Sequence, residues 1–325
     1  MDANMAGHSA QAHIGKRRRL QRCATERGIF SILAIDHRNN LRRALNPADP
    51  GAVTDETLVA FKREVVVTLA PESSAVLLDP EYGLEPIVGA GLLPRPAGLL
   101  LSLERTGYTG DPAARRSELL PGWDVARAAR VGADAVKLLV YYHPDAPTAL
   151  ETEALVRQVG AASLEAGMPF FLEVLSYPAD PGQRHLAPEE RRRVVLESAR
   201  RLTAVPGVDV LKAEFPVDIS AVPDEAAWRA TCRELTAASQ VPWVLLSAGV
   251  DFETYMRQVA AAMHGGARGV AVGRAVWNEV VQLPAAERAG FLSTIARERM
   301  ERVTALCKAW GVRLGRILDK GGEVR

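Results

Sequence analysis

Eight short apolar segments recur along the chain, with longer amphipathic segments between them. This alternation is typical of βα units, in which parallel strands are covered by helices. The segments are apolar on both faces, which predicts strands buried between covering helices and a packed interior. They are FSILAID (Phe30–Asp36), AVLLD (Ala75–Asp79), GLLLSLE (Gly98–Glu104), AVKLLV (Ala135–Val140), FFLEVL (Phe170–Leu175), VDVLKAE (Val208–Glu214), PWVLLS (Pro242–Ser247) and GVAVG (Gly269–Gly273).

The intervening segments have apolar residues at three- and four-residue spacing, which predicts helices that cover the strands. Thr54 is a predicted N-cap for the first of these helices. Eight strands that alternate with helices predict an α/β protein with a single (β/α)8 TIM barrel. An open doubly wound sheet would give similar local patterns, but no Gly-x-Gly-x-x-Gly turn follows the first strand. The clearest predicted helices are Asp55–Leu69, Ala149–Ala166, Pro188–Ala204 and Asp224–Ser239.

The predicted domain organisation is a disordered tail over residues 1–15, followed by one barrel domain over residues 16–325. The tail is polar and has no periodicity. No long apolar stretch follows the basic run Lys16–Arg19, so neither a signal peptide nor a membrane span is predicted. Three widely spaced cysteines, Cys23, Cys232 and Cys307, fit reduced thiols in a cytoplasmic protein.

The charge balance predicts a small-molecule partner. The 40 basic and 39 acidic residues leave a formal net charge of +1. Such a balance provides no overall field to attract nucleic acid or a membrane surface, so neither is expected as a partner.

Three charged residues interrupt apolar strands, namely Lys137, Glu173 and Lys212 on the fourth, fifth and sixth strands. On the outer face of a barrel such a side chain would be buried under a helix without water or a partner. Facing inward near the carboxyl end of its strand, it reaches the mouth of the barrel, where active sites of this fold lie. Neighbouring strands are about 4.8 Å apart, so the three side chains are predicted to form one polar cluster.

Such a cluster has a clear chemical use. A lysine in a partly desolvated, cation-rich site has a lowered pKa, and its neutral amine adds to a ketone to form a Schiff base. Either Lys137 or Lys212 is then the nucleophile, the other lysine lowers its pKa or binds a substrate oxygen, and Glu173 carries protons. The alternative is a Lys–Glu–Lys ion network that only fills the top of the barrel.

Further candidates lie at other strand ends. Asp36 either binds a hydroxyl or assists proton transfer, or else caps the following helix. Arg38 either contacts an anion or is surface charge. The small residues Ser247–Gly249 and the pair Gly273–Arg274 end the seventh and eighth strands, where barrel enzymes often hold a phosphate. The histidines show no paired spacing, so no metal site and no cofactor are predicted.

Eight strings together resemble the class I tagatose-1,6-bisphosphate aldolases, in the same order and at comparable spacing. The resemblance runs from about Arg18 to the end of the eighth βα unit. The strings are AIDHR (Ala34–Arg38), LLDPEYG (Leu77–Gly83), ERTGY (Glu104–Tyr108), GADAVKLLVYY (Gly132–Tyr142), PFFLEVLSY (Pro169–Tyr177), VDVLKAEFPV (Val208–Val217), LSAGV (Leu246–Val250) and GRAVW (Gly273–Trp277).

The resemblance implies a metal-independent lyase that splits tagatose 1,6-bisphosphate, or a similar ketose bisphosphate, into dihydroxyacetone phosphate and glyceraldehyde 3-phosphate. It implies that Lys212 forms the Schiff base, that Glu173 is the acid/base partner, and that Asp36 and Lys137 belong to the same catalytic group. It also implies a homo-oligomer. The phosphate-binding positions that it implies are Ser247, Gly249, Gly273 and Arg274.

One departure concerns His37, which stands where the family usually has glutamine, so contacts to the aldehyde half of the substrate are expected to differ. The sulfofructose-phosphate aldolases, a related branch, share the lysine and the glutamate but bind a sulfonate. The DPEYG and ERTGY strings place the chain nearer the tagatose branch. Two other hypotheses are a non-catalytic sugar-phosphate-binding regulator and an isomerase or epimerase that uses Glu173 and Lys137 without covalent chemistry.

Overall fold

The computed structural model describes residues 14–310, and within this range eight parallel strands close into a barrel. Each strand pairs with the strands before and after it in the chain, and the first pairs with the last. The predicted (β/α)8 barrel is therefore confirmed. The strands are β1 (Phe30–Ala34), β2 (Ala75–Leu78), β3 (Gly98–Ser102), β4 (Ala135–Tyr141), β5 (Phe170–Leu175), β6 (Val210–Ala213), β7 (Trp243–Leu246) and β8 (Gly269–Val272).

Helices cover the outside of the barrel. The predicted helix Asp55–Leu69 begins and ends as expected, and the Thr54 side chain accepts a hydrogen bond from the Thr57 N–H. The α-helices with defined bounds are Asn39–Leu45, Asp55–Leu69, Val125–Arg130, Ala149–Glu165, Pro188–Thr203, Glu225–Ala238, Phe252–Gly265, Arg274–Trp277, Ala285–Phe291 and Arg297–Trp310. Short 3₁₀ turns are Pro50–Ala52, Ala70–Glu72 and Asn278–Gln282, and π-helical segments are Pro80–Gly89 and Leu292–Ala296.

The segment between β3 and β4 contains a short antiparallel hairpin of Thr109–Asp111 and Ala114–Arg116. Its strands have three residues each, which is too short for a strand pattern to show in the sequence. The hairpin follows β3 and therefore lies at the carboxyl end of the barrel.

The barrel interior is layered along its axis. Its lower part is apolar and includes Phe30, Ile32, Phe171, Val210 and Val244. Because side chains alternate along a strand, the positions two and four residues further along also face inward. Those are the positions of the charged residues, so the apolar interior gives way to charge at the carboxyl end.

The amino end of the barrel is closed by a helical segment, residues 14–23. The Lys16 ammonium pairs with Asp209 at 2.9 Å, and the Ser74 hydroxyl donates to the Cys23 carbonyl at 2.7 Å. Of the predicted disordered tail, residues 1–13 lie outside the described residues, and residues 14 and 15 belong to this helical segment. Across residues 14–310, no helix has the length and apolar character required to cross a membrane.

Candidate active site

A cavity of about 290 Å³ opens at the carboxyl ends of the barrel strands. It lies where the fold places active sites. Gly249 packs beside it, with the Arg274 guanidinium within 3.5 Å of the place where a Cβ would stand. The other predicted site residues all line the cavity: Asp36, His37, Arg38, Lys137, Glu173, Lys212, Ser247, Gly273 and Arg274.

Strand register explains why the charged side chains meet. Glu173 on β5 and Lys212 on β6 are direct neighbours in the parallel ladder. Lys137 pairs with Phe171, two residues deeper in the barrel than Glu173. Its long side chain extends upward, so its ammonium reaches the level of the carboxylates above it.

Lys137 is bound by three carboxylates. Its ammonium lies 2.7 Å from Asp36 Oδ2, 2.6 Å from Glu104 Oε1 and 2.9 Å from Glu173 Oε2. Burial disfavours the charged form of this lysine, yet the three carboxylates outweigh burial and raise the pKa of Lys137 well above its ordinary value. Lys137 is therefore a fixed cation.

Lys212 is paired less completely. Its ammonium contacts one carboxylate, Glu173 Oε2, at 2.8 Å, and makes no second ion pair or hydrogen bond to any residue between 14 and 310. The same glutamate oxygen thus lies between the two lysines. Lys212 is both the lysine with fewer partners and the neighbour of a proton acceptor.

Two of these carboxylates, Asp36 and Glu173, are ionised. Burial alone would raise the pKa of Asp36, but the charges of Lys137 and Lys212 reverse the shift and hold it well below the ordinary value. The pKa of Glu173 is lowered for the same reason, with burial opposing the two ammonium groups. In the resting site Glu173 is therefore a base that can accept a proton.

Sequence reasoning missed Glu104 as a member of this cluster. Glu104 follows β3 and is 5% exposed, and besides pairing with Lys137 it accepts a hydrogen bond from the Leu139 N–H at 3.0 Å. The signal was present, because a carboxylate at the end of the apolar run GLLLSLE follows the same pattern as Asp36 after the first strand. What the sequence did not show was that Glu104 and Asp36 bind the same ammonium.

His37 is an uncharged member of the site. Burial lowers the pKa of His37 to about 3, although the Asp36 carboxylate opposes that shift. Its ring packs edge-on against Trp277 with centroids 5.3 Å apart. Its buried Nδ1 makes no hydrogen bond within the described chain. A neutral imidazole is suited to hydrogen bonding with an uncharged hydroxyl rather than to holding an anion by charge.

Arg38 lines the cavity, but two of its donor groups already have protein partners. The guanidinium donates to Glu81 Oε2 at 2.7 Å and to the Glu104 carbonyl at 2.5 Å, and the residue is 4% exposed. Its position thus braces the backbone of Glu104. The predicted contact between Arg38 and a substrate anion stays a prediction.

The ends of β7 and β8 form a tight, cationic corner. Ala248 and Gly249 both have left-handed backbones, with φ of 48° and 78°, and such strain in a non-glycine residue is concentrated at functional sites. A Cβ on Gly273 would stand 2.7 Å from the Ala34 carbonyl, so glycine is required there. Arg274 forms no hydrogen bond or ion pair with the part of the chain that is described. A cation without a partner beside small residues is suited to an anion.

Among residues 14–310, no group of three His, Cys, Asp or Glu side chains is arranged to hold a metal ion. The sequence expectation of a metal-independent reaction stays a prediction.

Comparisons with known proteins agree with the geometry. The family model described as DeoC/LacD family aldolase matches residues 30–279. Tagatose 1,6-diphosphate aldolase 2 of Enterococcus faecalis is 33% identical over 318 residues, which cover 91% of this chain and 94% of that protein. Tagatose 1,6-diphosphate aldolase of Streptococcus pneumoniae serotype 4 is 36% identical over 286 residues, covering 81% and 84%.

Among solved structures, fructose-bisphosphate aldolase from Plasmodium falciparum has a similar fold, with a TM-score of 0.70. The match covers 93% of this chain and 96% of that chain at 15% sequence identity.

Proposed function

Because the chain belongs to the DeoC/LacD aldolase family, we propose that it is a class I aldolase with Lys212 as its Schiff-base lysine. The proposed reaction cleaves tagatose 1,6-bisphosphate, or a similar ketose bisphosphate, into dihydroxyacetone phosphate and glyceraldehyde 3-phosphate. The single observation that carries the residue assignment is the unequal pairing of the two lysines. The names of the relatives support the substrate class.

The nucleophile of a Schiff-base enzyme must lose its proton before it can react. Removing the proton from Lys137 would leave three carboxylates crowded around a neutral amine. Removing it from Lys212 disrupts one ion pair and transfers the proton to the glutamate that forms that pair. Lys212 is therefore the nucleophile, and Lys137 supplies the permanent positive charge that keeps Glu173 and Asp36 ionised.

The proposed sequence of steps uses Glu173 as the proton carrier. Glu173 accepts a proton from Lys212, and the amine adds to the C2 carbonyl of the ketose. Glu173 returns the proton as the carbinolamine loses water, which leaves an iminium. The C3–C4 bond then breaks, its electrons form an enamine with the nitrogen, and a carboxylate takes the C4 hydroxyl proton. Asp36 faces the same cavity and is placed for this last role.

The ketose phosphate next to the Schiff base is assigned to the corner between β7 and β8. There the Arg274 guanidinium has no protein partner among residues 14–310, and Ser247 and Gly273 lie side by side, with the Gly273 N–H pointing to the Ser247 hydroxyl at 3.5 Å. Lys212 on β6 lies next to β7 in the barrel. When the phosphate of the ketose is held in this corner, the neighbouring carbonyl carbon of the ketose is brought towards the amine of Lys212.

Borohydride reduction in the presence of dihydroxyacetone phosphate tests the proposal. We expect one covalent adduct on Lys212, located by mass spectrometry of proteolytic fragments, and no adduct in Lys212→Ala. Lys308→Ala is the control, since it removes an exposed lysine that does not line the cavity. An adduct on Lys137 would reverse the two roles, and the absence of any adduct in the active protein would favour an isomerase.

Relative turnover of tagatose bisphosphate, fructose bisphosphate and sulfofructose phosphate identifies the substrate. We expect kcat/KM to be highest for a bisphosphate. A preference for the sulfonate would place the chain in the sulfofructose branch, and ligand binding without any turnover would favour the regulator.

A further inference from the structure

A second cavity, of about 390 Å³, adjoins the aldolase cavity at the carboxyl ends of β5, β6 and β7. We call it the side cavity. Leu246 and Ala248 line both cavities. Two consecutive residues also line different cavities, since Glu214 lines the aldolase cavity and Phe215 lines the side cavity. A ligand in the side cavity would therefore lie against the wall of the active site.

The lining of the side cavity is cationic. Arg115, Arg184 and Arg191 line it together with His185, and Asp218 is the one acidic side chain among the described residues that line it. The Asp218 carboxylate is already used locally, because it accepts hydrogen bonds from the Ser220 N–H at 3.0 Å and hydroxyl at 2.6 Å. Such an excess of guanidinium groups favours an anionic ligand.

Several polar groups in the side cavity have no partner in the described chain. Gln258, on helix Phe252–Gly265, is 5% exposed and its side-chain amide makes no hydrogen bond to any residue from 14 to 310. Arg184 and His185 are exposed side chains on the segment between β5 and the next helix, and neither forms a hydrogen bond or an ion pair within that range. These groups are open to the side cavity, and a ligand bound there can make hydrogen bonds with them.

Two of the cations are held in place by the protein. The Arg115 guanidinium lies over the rings of Tyr108, Tyr141 and Tyr177, at 4.5, 5.3 and 4.7 Å from their centroids. Arg191 donates to the Phe215 carbonyl at 3.1 Å and lies 3.6 Å from the Glu214 carboxylate, which offsets part of its charge. Such contacts fix positive charge before a ligand arrives, which reduces the entropy lost on binding.

We propose that the side cavity binds the phosphate group of a phosphorylated small molecule, with Arg184 and Gln258 as its principal contacts. The planar guanidinium of Arg184 can bind two phosphate oxygens, and the Gln258 amide can donate to a third. The phosphate belongs either to the far end of a substrate held on Lys212 or to a separate metabolite. The inference adds an anion site to the proposed function and does not depend on Schiff-base chemistry.

Calorimetric titration of the full-length protein with inorganic phosphate tests the site. We expect two phosphate sites, one lost in Arg274→Ala and the other weakened roughly tenfold or more in Arg184→Ala/Gln258→Leu, because a charged hydrogen-bonding partner is removed. Arg233→Ala is the control, since Arg233 is exposed and does not line the side cavity. If the double variant binds phosphate as the wild type does, or if Arg274→Ala removes all binding, the side cavity is not a phosphate site.

Steady-state kinetics on the same double variant identify the source of the phosphate. A raised KM for a ketose bisphosphate, with an unchanged KM for the ketose 1-phosphate, assigns the side cavity to the far end of the substrate. Unchanged KM values for both, together with the loss of one phosphate site, assign it to a separate metabolite. Failure of the proposed function is a different result, namely the absence of a borohydride adduct in a protein that still binds two phosphates.

Discussion

Two clusters of buried lysine and carboxylate in this protein have different properties, although both are built at strand ends. One, which we call the mouth cluster, consists of Lys137 and Lys212 with the carboxylates Asp36, Glu104 and Glu173 at the mouth of the barrel. The other pairs Lys62, on helix Asp55–Leu69, with Asp79, directly after β2, and both side chains are 0% exposed. The Lys62 ammonium also donates to the Ile35 carbonyl at 2.8 Å, and Asp79 accepts from the Tyr82 N–H at 2.7 Å.

The difference between them lies in charge balance and access. The pair of Lys62 and Asp79 is one cation with one anion, its remaining polar atoms bind backbone groups, and it lies outside both cavities. The mouth cluster has two ammonium groups for three carboxylates, one glutamate oxygen contacts both lysines, and a cavity opens onto it. Loss of either partner of the balanced, closed pair would leave a buried charge uncompensated, so that pair has a structural role. The unbalanced, accessible cluster can exchange a proton with a ligand.

The largest expected effect comes from removing the fixed cation of the mouth cluster. We expect Lys137→Met to lower kcat by about 10²–10⁴-fold, the range of general acid–base catalysis. Without Lys137, three neighbouring carboxylates repel one another and their pKa values rise, so that Glu173 already holds a proton at rest and cannot take the proton of Lys212. Stopped assays on the folded protein measure this loss, and wild-type turnover in Lys137→Met would contradict the assigned role.

The second effect tests the closed pair. We expect Lys62→Met to lower the free energy of unfolding by about 3–5 kcal/mol, because the Asp79 carboxylate is left buried without its counter-charge. Chemical denaturation measures the loss, and kcat of the folded protein should change little. Lys62→Met/Asp79→Asn should recover most of the stability, since an amide oxygen can still accept from Tyr82. A large loss of kcat with intact stability would show that this pair belongs to the active site.

The smallest effect is expected from Glu104, the carboxylate of the mouth cluster that contacts only Lys137 among the two lysines. Glu104→Gln removes one of three carboxylates that raise the pKa of Lys137, so that pKa should fall towards its ordinary value of about 10.4. Lys137 is charged only below its pKa. As the pH rises towards the lowered pKa, the variant should therefore lose activity, whereas the wild type should still be active at the same pH. A pH profile of kcat between roughly pH 7 and 10.5 measures the difference. If kcat falls at the same alkaline pH in both proteins, Glu104 does not set the charge of Lys137.

The fold could be predicted from the sequence because its signals are local. Apolar runs and helical spacing located the eight strands, and the predicted covering helices agree with the structure to within about one residue at each end. Alternation along each strand also placed Lys137, Glu173 and Lys212 inside the barrel, since the fold directs the carboxyl ends of all its strands to one mouth.

Asp79 is a residue whose direction the local sequence pattern does not predict. Alternation along β2 would direct it inward, yet the chain turns into the segment Pro80–Gly89 and the carboxylate pairs with Lys62 on the covering helix. Arg38 is a similar case, since a strand-end arginine in the cavity wall turned out to have Glu81 and the Glu104 carbonyl as partners.

By itself, the sequence determined the barrel and placed Lys137, Glu173 and Lys212 at its carboxyl end. Only the tertiary structure decided how many carboxylates each lysine contacts, which is the observation behind the proposed role of Lys212. The physical reason is that secondary structure follows from the pattern of neighbouring residues, whereas ion pairing depends on distances of about 3 Å between side chains on different strands. Those distances depend on strand register and side-chain direction, which no single segment of the chain contains.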